Sequence, residues 1–429
     1  QNSLVSVKAV PRQVRKAREA GESPVRCLMI ASAFPPIHGG SAVVYENLCS
    51  DMPAGTMRVL SAKKNYLNNR DIDGWADSDA EAGFPIDRVE LLRPLMMPPP
   101  AGTLDSLRRF VFLDLPLYAN VLLKAAYIVR RHKINVVCIG ELVAGTWIGI
   151  ALRKLFGVKL VIYIHGEEVT TVTGGRLTGD KRKTFLNAAD RIVAVSSFTC
   201  DELTRTMDLP PGRISMIQNG VDTERFYPAP VNAMLIRKHG LAGKKVILTV
   251  ARLVPRKGVD MAIQAIAQLA RSRTDFHYLI VGDGESRAEL EKMIVDLQLQ
   301  GVATLVGKAG DDELVDYFRL CDVFLMPNRT LDDGDTEGFG LVFREANACG
   351  KPVIGGRAGG VVEAVIDGKT GFLVDGGNVA EIAATVDRLL SDANLARQIS
   401  ANGLRMAQEN NTRAVARQFL RMCDRLLQH

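Results

Sequence analysis

No two cysteines in this 429-residue chain are spaced C-x-x-C, and the seven present, at positions 27, 49, 138, 200, 321, 349 and 423, are scattered and odd in number. A disulfide framework or a thiolate metal knuckle needs paired, closely spaced cysteines, so neither is expected. Most lie in apolar runs, as reduced core thiols do, and this favours the cytosol. Long apolar runs are missing too. The longest are interrupted by Asp114, Pro116 and Lys124, or by Glu141, and no secretory leader is legible, so no transmembrane helix is expected. Strong charge of one sign is also lacking. A net charge of +6 and a pI near 8.9 do not imply nucleic acid; a diphosphate ligand or an anionic membrane surface suits them equally. What is present is 47% hydrophobic and 24% charged residues, a globular balance, in a chain too long for one core and long enough for two.

One stretch organises the rest: Asp335-Thr336-Glu337-Gly338-Phe339-Gly340-Leu341-Val342-Phe343-Arg344-Glu345-Ala346. A loop rich in Gly and Asp, Leu331 to Thr336, runs into two glycines flanking Phe339, and a helix is expected from there. Glycines let backbone amides approach a ligand, and a helix start adds unpaired donors and partial positive charge. Glu337 precedes the helix and Glu345 lies within it. At about 100° per residue their offset is about 80°, so both can face one cleft. Carboxylates are wrong for phosphates and right for hydroxyls. The combination describes a nucleotide sugar, with hydroxyls at both ends and a diphosphate between. The ordinary alternative is a βα turn with two solvated glutamates.

Glu337 and Glu345 match the E-x7-E signature of retaining GT-B glycosyltransferases of the glycogen-synthase-like family. The run Met326-Pro327-Asn328-Arg329-Thr330, the run Ala348-Cys349-Gly350-Lys351-Pro352-Val353-Ile354, and Arg252-Leu253-Val254-Pro255-Arg256-Lys257-Gly258 resemble the phosphatidylinositol mannosyltransferases of that family. The resemblance spans about residues 25 to 425 and is strongest after Arg213. It implies an α/β GT-B fold: two Rossmann-like doubly wound domains facing a cleft, with a C-terminal helix crossing back to the first domain.

The organisation expected is a basic arm over 1–24, an acceptor domain over 25–220, a donor domain over 221–410, and a crossover helix over 411–429. The arm carries Lys8, Arg12, Arg15, Lys16 and Arg18, so it reads as a membrane-binding segment or a solvated leader. Val25–Ala33 reads as a strand ending near Gly39-Gly40, a loop that is not G-x-G-x-x-G and that the resemblance places on the donor diphosphate. Further strands are expected at Arg58–Ala62, Val89–Arg93, Ile134–Gly140, Lys159–His165, Arg191–Val195 and Ile214–Gln218. Residues 63–88 and 94–104 read as loops, and a long helix runs from about Asp105 to Arg131. His165 sits at a strand end, where ligands of parallel sheets bind; the resemblance puts it beside the reacting sugar carbon. Asn219-Gly220-Val221-Asp222 reads as a hinge.

In the second half, strands are expected at Lys245–Val250, Phe276–Val281, Val302–Val306, Asp322–Met326, Lys351–Ile354 and Gly371–Val374. Arg252 and Lys257, five apart across a βα loop, can clamp a diphosphate, one as a planar fork and one as a point charge. Arg256 is a less favoured third cation. The resemblance makes Gly282 and Lys308 frame the nucleobase and sets Gly359-Gly360 and Glu363 near the donor. Candidate catalytic residues are His165, Arg252, Lys257 and Glu337. Donor contacts are Gly39, Gly40, Arg252, Lys257, Gly282, Lys308, Glu337, Gly338, Phe339, Gly340, Leu341 and Glu345.

The activity implied is retaining transfer of a hexose from GDP-mannose or a UDP-hexose to a glycan or lipid-linked acceptor, with no cofactor and no metal. Asp333-Gly334-Asp335 spells D-x-D but lacks a helix or His partner. A cytoplasmic location is expected, either free or peripheral on the inner face of the cell membrane. A nucleotide-sugar 2-epimerase of the same fold and a non-catalytic nucleotide-sugar sensor are the alternatives.

Overall fold

In the computed structural model, residues 24–37, 39–98, 101–166 and 181–428 are described; residues 1–23 of the expected basic arm and Glu167-Glu168 lie outside them. Two parallel sheets form. The first has seven strands: β1 (Cys27–Ile30), β2 (Met57–Ala62), β3 (Ile86–Val89), β4 (Val136–Ile139), β5 (Lys159–Ile164), β6 (Arg191–Ala194) and β7 (Ile214–Met216), in the order β3-β2-β1-β4-β5-β6-β7. The second has six: β8 (Lys245–Val250), β9 (Phe276–Val281), β10 (Ala303–Gly307), β11 (Val323–Met326), β12 (Val353–Gly356) and β13 (Gly371–Val374), in the order β10-β9-β8-β11-β12-β13. Each sheet reverses direction of growth once, between β1 and β4 and between β8 and β11. Those switch points open crevices beyond the strand ends, where ligands of such sheets bind.

The strands are apolar on both faces because both are covered. In the first sheet Leu28, Ile30, Val137, Ile139, Leu160 and Ile162 pack on one side, while Cys27, Met29, Val136, Cys138, Val161 and Tyr163 pack on the other. That second side joins the C-terminal helix Thr412–Leu427 through Val415, Ala416, Phe419, Cys423 and Leu426. Phe419 stacks on Tyr163 at 6.5 Å, and truncating such a buried ring costs about 3–5 kcal/mol. The chain passes between the sheets twice, side by side. Val221 N–H donates to the Asn410 carbonyl at 3.3 Å, and Thr412 N–H to the Val221 carbonyl at 3.1 Å. A side chain at Gly220 would collide with the Asn411 carbonyl at 2.7 Å, which explains the glycine of the hinge.

Two sequence expectations are corrected. The third strand is Ile86–Val89, not Val89–Arg93, and the stretch read as a loop over 63–88 holds a helix, Trp75–Glu81. The charges that disguised β3 are satisfied by neighbours: Asp87 pairs with Arg58 at 2.6 Å and Lys124 at 2.9 Å, and Arg88 with Asp79 at 2.7 Å. Asp114 and Pro116 do not break the apolar run either. Thr103–Arg131 is one continuous helical stretch, long and apolar enough to cross a membrane by length and composition. Asp114 is buried at the end of a π-helical turn, Phe110–Asp114, and Pro116, which has no amide hydrogen to give, follows directly on that turn, where the Leu115 amide already bonds the Phe110 carbonyl in the wider register. One face, with Val121, Ala125, Ile128 and Val129, is packed on the first domain.

Candidate active site

The loop after β11 carries the central motif to the helix Leu341–Ala348, and the loop after β8 carries the cations. The switch point therefore brings them together. Lys257 Nζ pairs with the Glu337 carboxylate, each side chain about 14% exposed. Burial pulls the Glu337 carboxyl up; the Lys257 charge, with Arg256 and the Phe339 amide, outweighs it and holds the group below its ordinary value. Arg256, the less favoured cation, is buried and bonds Asp335 at 3.0 Å. It braces the loop, as does the 2.9 Å contact between the Thr330 and Thr336 hydroxyls. Asp335 of the D-x-D is thus held by Arg256, and Asp333 accepts the Asp335 amide at 3.0 Å. Arg252 is exposed and makes no ion pair among the described residues. The two proposed clamp residues therefore differ: Lys257 is tied into the motif and Arg252 is available at the surface of the cleft loop.

Two of these glycines are also fixed by close packing. A Cβ on Gly338 would lie 1.9 Å from the His165 carbonyl oxygen, so this glycine is required by contact between the two domains. Likewise a Cβ on Gly282 would lie 1.8 Å from the Ala251 carbonyl, so this glycine lets β9 pack against the β8 loop. Gly340, at φ +84°, ends the loop in the left-handed region and starts the helix. Phe339 is buried, with the Arg344 guanidinium 5.6 Å from its ring, so it fills the core and its side chain is not presented to a ligand. Leu341 is half-buried at the first helical position, and Lys308 is exposed just beyond β10. Gly39 and Gly40 begin the helix Gly40–Ser50 beyond β1. Nothing lies within 4 Å of a Cβ added to either, so they form an open loop.

His165 directly follows β5. Its Nε2 lies 2.8 Å from the Tyr45 hydroxyl, which donates to the Gly140 carbonyl at 2.6 Å. Tyrosine has one hydroxyl proton, so the imidazole carries its proton on Nε2 and donates to that oxygen. Tyr163 stacks on the ring at 5.2 Å, and burial lowers the imidazole to about 4, which keeps it neutral. Nothing in the sequence marked Tyr45, because it sits on the buried face of a helix. Beside it, Glu141 at the end of β4 accepts the Ser32 and Ala33 amides at 3.0 Å each.

Glu345 lies deep in its helix and is 8% exposed. Burial raises its carboxyl to about 7, with Arg225 opposing and Asp222 and Asp311 reinforcing. The charges that act on it, Arg225, Asp222 and Asp311, belong to the hinge and the start of the helix Asp311–Leu320, and Lys257 is not among them. The two glutamates of the motif occupy different electrostatic settings.

Residues 88–225 match the family described as Glycosyltransferase Family 4, and residues 233–406 the one described as Glycosyl transferases group 1. The chain is 30% identical over 391 residues to a GDP-mannose-dependent alpha-(1-6)-phosphatidylinositol monomannoside mannosyltransferase of Mycolicibacterium smegmatis, covering 89% of this chain and 94% of that one. It is 32% identical over 378 residues to the GDP-mannose-dependent monoacylated counterpart of Corynebacterium glutamicum, covering 86% and 89%. Among solved structures, Anabaena HepE in complex with UDP and glucose superposes with a TM-score of 0.72 at 21% identity, over 93% of this chain and 99% of that one. Sucrose-phosphate synthase of Thermosynechococcus elongatus gives 0.72 at 23% identity, over 94% and 99%. With two doubly wound sheets, a lysine–glutamate pair at their cleft and relatives matched along almost their whole length, the chain belongs to the GT-B glycosyltransferases that use nucleotide sugars, alongside the phosphatidylinositol mannosyltransferases.

Proposed function

We propose that this enzyme transfers a hexose, mannose from GDP-mannose in the first instance, to a lipid-linked or glycan acceptor, with retention and without a metal. The observation that carries the reading is the Lys257–Glu337 pair beneath the helix start, opposite the His165 carbonyl contact. A donor diphosphate would take over the Lys257 charge, with Arg252 as the second arm. Glu337 would then accept sugar hydroxyls, while Glu345 would hold the ribose. Charge developing on the leaving phosphate would be stabilised by Lys257, Arg252 and the amides around Gly338–Leu341. His165, neutral and fixed by Tyr45, would sit at the sugar face.

For retention we favour a front-face course, in which the departing phosphate oxygen takes the acceptor proton. In this reading Glu337 is committed to the sugar hydroxyls once the diphosphate has taken Lys257, which leaves it no part as a nucleophile. Cations in place of a metal suit the same site, with Asp335 committed to Arg256.

The choice of a lipid-linked acceptor is supported by the helix Thr103–Arg131. Its outward face shows Leu104 (82% exposed), Phe112 (70%) and Leu123 (72%), and Arg108, Arg130 and Arg131 border the same helix. An apolar stripe bordered by arginines fits the surface of an anionic bilayer. We place the enzyme there, as a peripheral protein on the cytoplasmic side.

A thermal-shift panel of GDP- and UDP-sugars tests the donor, since a ligand at about 100-fold its Kd adds ~2.7 kcal/mol. Product analysis with the stabilising donor should then show an α-linked hexoside, undiminished by excess EDTA. An epimer formed from donor alone would transfer the site to the isomerase reading. For the membrane, Leu104→Ser/Phe112→Ser/Leu123→Ser should abolish flotation with anionic vesicles while leaving nucleotide binding intact.

A further inference from the structure

Glu363 belongs to the second domain, yet its carboxylate is engaged by the first. It accepts the Ser197 amide at 2.6 Å, the Ser197 hydroxyl at 2.7 Å and the Gln218 side-chain amide at 2.8 Å. Ser197 opens the helix Ser197–Met207, and that helix already has its own cap: Ser196 serves the Thr199 amide. The donor at Ser197 is therefore left to a carboxylate from across the cleft, at the end of the helix where a negative charge is favoured. The same short segment is tied to the central motif. Gly360 N–H donates to the Glu337 carbonyl at 2.8 Å, and Arg344, on the helix with Glu345, donates to the Glu363 carbonyl at 3.0 Å. Arg344 Nε and Nη1 are buried and have no partner among the described residues, so its single bond fixes the Glu363 backbone and not its carboxylate.

We infer that Glu363 is the clasp that seats the donor loop on the acceptor domain. It is a positioning residue for the transfer reaction. Closing the clasp brings Gly338 onto the His165 carbonyl and so sets Glu337 opposite His165; opening it separates the two halves of the site without disturbing either one. The nucleotide contacts assigned to Arg252, Lys257 and Glu345 all come from the second domain, so nucleotide affinity should depend little on the clasp, the Gly39-Gly40 loop being the one donor contact across the cleft. This inference rests on the family's transfer reaction for its kinetic readout and on domain geometry for its structural one.

The test uses the Gln218 partner, which lies in the first domain and outside the donor site. Gln218→Glu sets two carboxylates face to face and should lower kcat/KM for transfer at least tenfold. It should also enlarge the radius of gyration measured by small-angle scattering with nucleoside diphosphate bound. Adding Glu363→Gln restores a donor–acceptor match: the amide oxygen introduced at position 363 still accepts from Ser197, and its N–H donates to the carboxylate introduced at position 218. The double variant should return to within threefold of the parent in rate and to its radius. GDP or UDP affinity should stay within threefold in all three proteins. If Gln218→Glu keeps both parental rate and parental radius, or if Glu363→Gln fails to rescue it, the clasp is wrong. If no transfer is detectable even in the parent, the activity assignment fails, and the scattering radii still decide the clasp.

Discussion

The two faces of the cleft are built on different principles. The second-domain face is electrostatic: Lys257 on Glu337 and Arg256 on Asp335, two charge pairs that join the loop after β8 to the loop after β11. The first-domain face, at the β5 strand end, is neutral and shape-based: an imidazole held uncharged by burial, a tyrosine hydroxyl and a backbone carbonyl against which only glycine fits. A diphosphate leaving group needs positive charge prepared in place, whereas a sugar ring needs a wall with few competing charges. Under the proposed transfer, the division puts the strongest charges where negative charge would grow.

Removing a charge from the second face should have the largest effect. Lys257→Ala should lower kcat/KM by ~10²–10³, since stripping one partner from a desolvated pair costs about 2–5 kcal/mol. A change below threefold in steady-state kinetics would take the diphosphate clamp out of the account. Arg252→Ala, at an exposed position, should cost less than Lys257→Ala, and the reverse ranking would exchange their roles.

Glu337→Gln is expected next. It should lower kcat and leave nucleoside diphosphate binding by calorimetry close to parental, because sugar contacts tighten as the anomeric carbon becomes cationic. Loss of nucleotide binding in Glu337→Gln with retention in Glu345→Gln would reverse the donor's orientation.

On the neutral face, Tyr45→Phe keeps the ring and removes the hydroxyl that fixes the His165 tautomer. A fall in kcat of about two- to tenfold is expected, on the scale of a lost orienting hydrogen bond of about 0.5–1.5 kcal/mol. Donor KM should not move. A larger effect on KM than on kcat would show that this face binds the donor more than it orients it.

The last effect is on stability and not on turnover. The Glu345 carboxyl is raised to about 7, above its value of about 4.3 in an unfolded chain. Between those values the folded protein keeps a proton that the unfolded chain has lost, so stability falls as pH rises from about 4.5 to about 7 and then levels. Glu345→Gln should remove that fall, by at most about 4 kcal/mol. Denaturant unfolding of both proteins from pH 5 to pH 8 measures the difference. Parallel curves would mean that Glu345 is ionised in the folded state.

Legibility also differed between the halves. In the second domain β8, β9 and β13 fall on the expected residues, because apolar runs bounded by glycine and charge leave one reading. In the first, β3 was misplaced and the helix Trp75–Glu81 missed. Asp87 and Arg88 looked like loop residues, and only their partners Arg58, Lys124 and Asp79 make them tolerable in an edge strand. For the candidate site, the spacing marks Lys257 and Glu337, which the fold brings into contact, but not Tyr45, since one tyrosine in an apolar helix carries no local mark.

The sequence alone determined the strand–helix alternation, two α/β halves, the helix start at Leu341 and the amphipathic tail, because these follow from local periodicity and glycine placement. Tertiary structure decided what each charge and glycine is for. Gly338 proved to be a contact between domains, Arg256 a brace for the loop, and Glu363 a bond across the cleft. The physical reason is that a charge or a missing side chain acquires its role only from the group brought within about 3 Å of it. Those groups are distant in the chain: the partner of Arg256 lies 79 residues away and that of Glu363 lies 166 away.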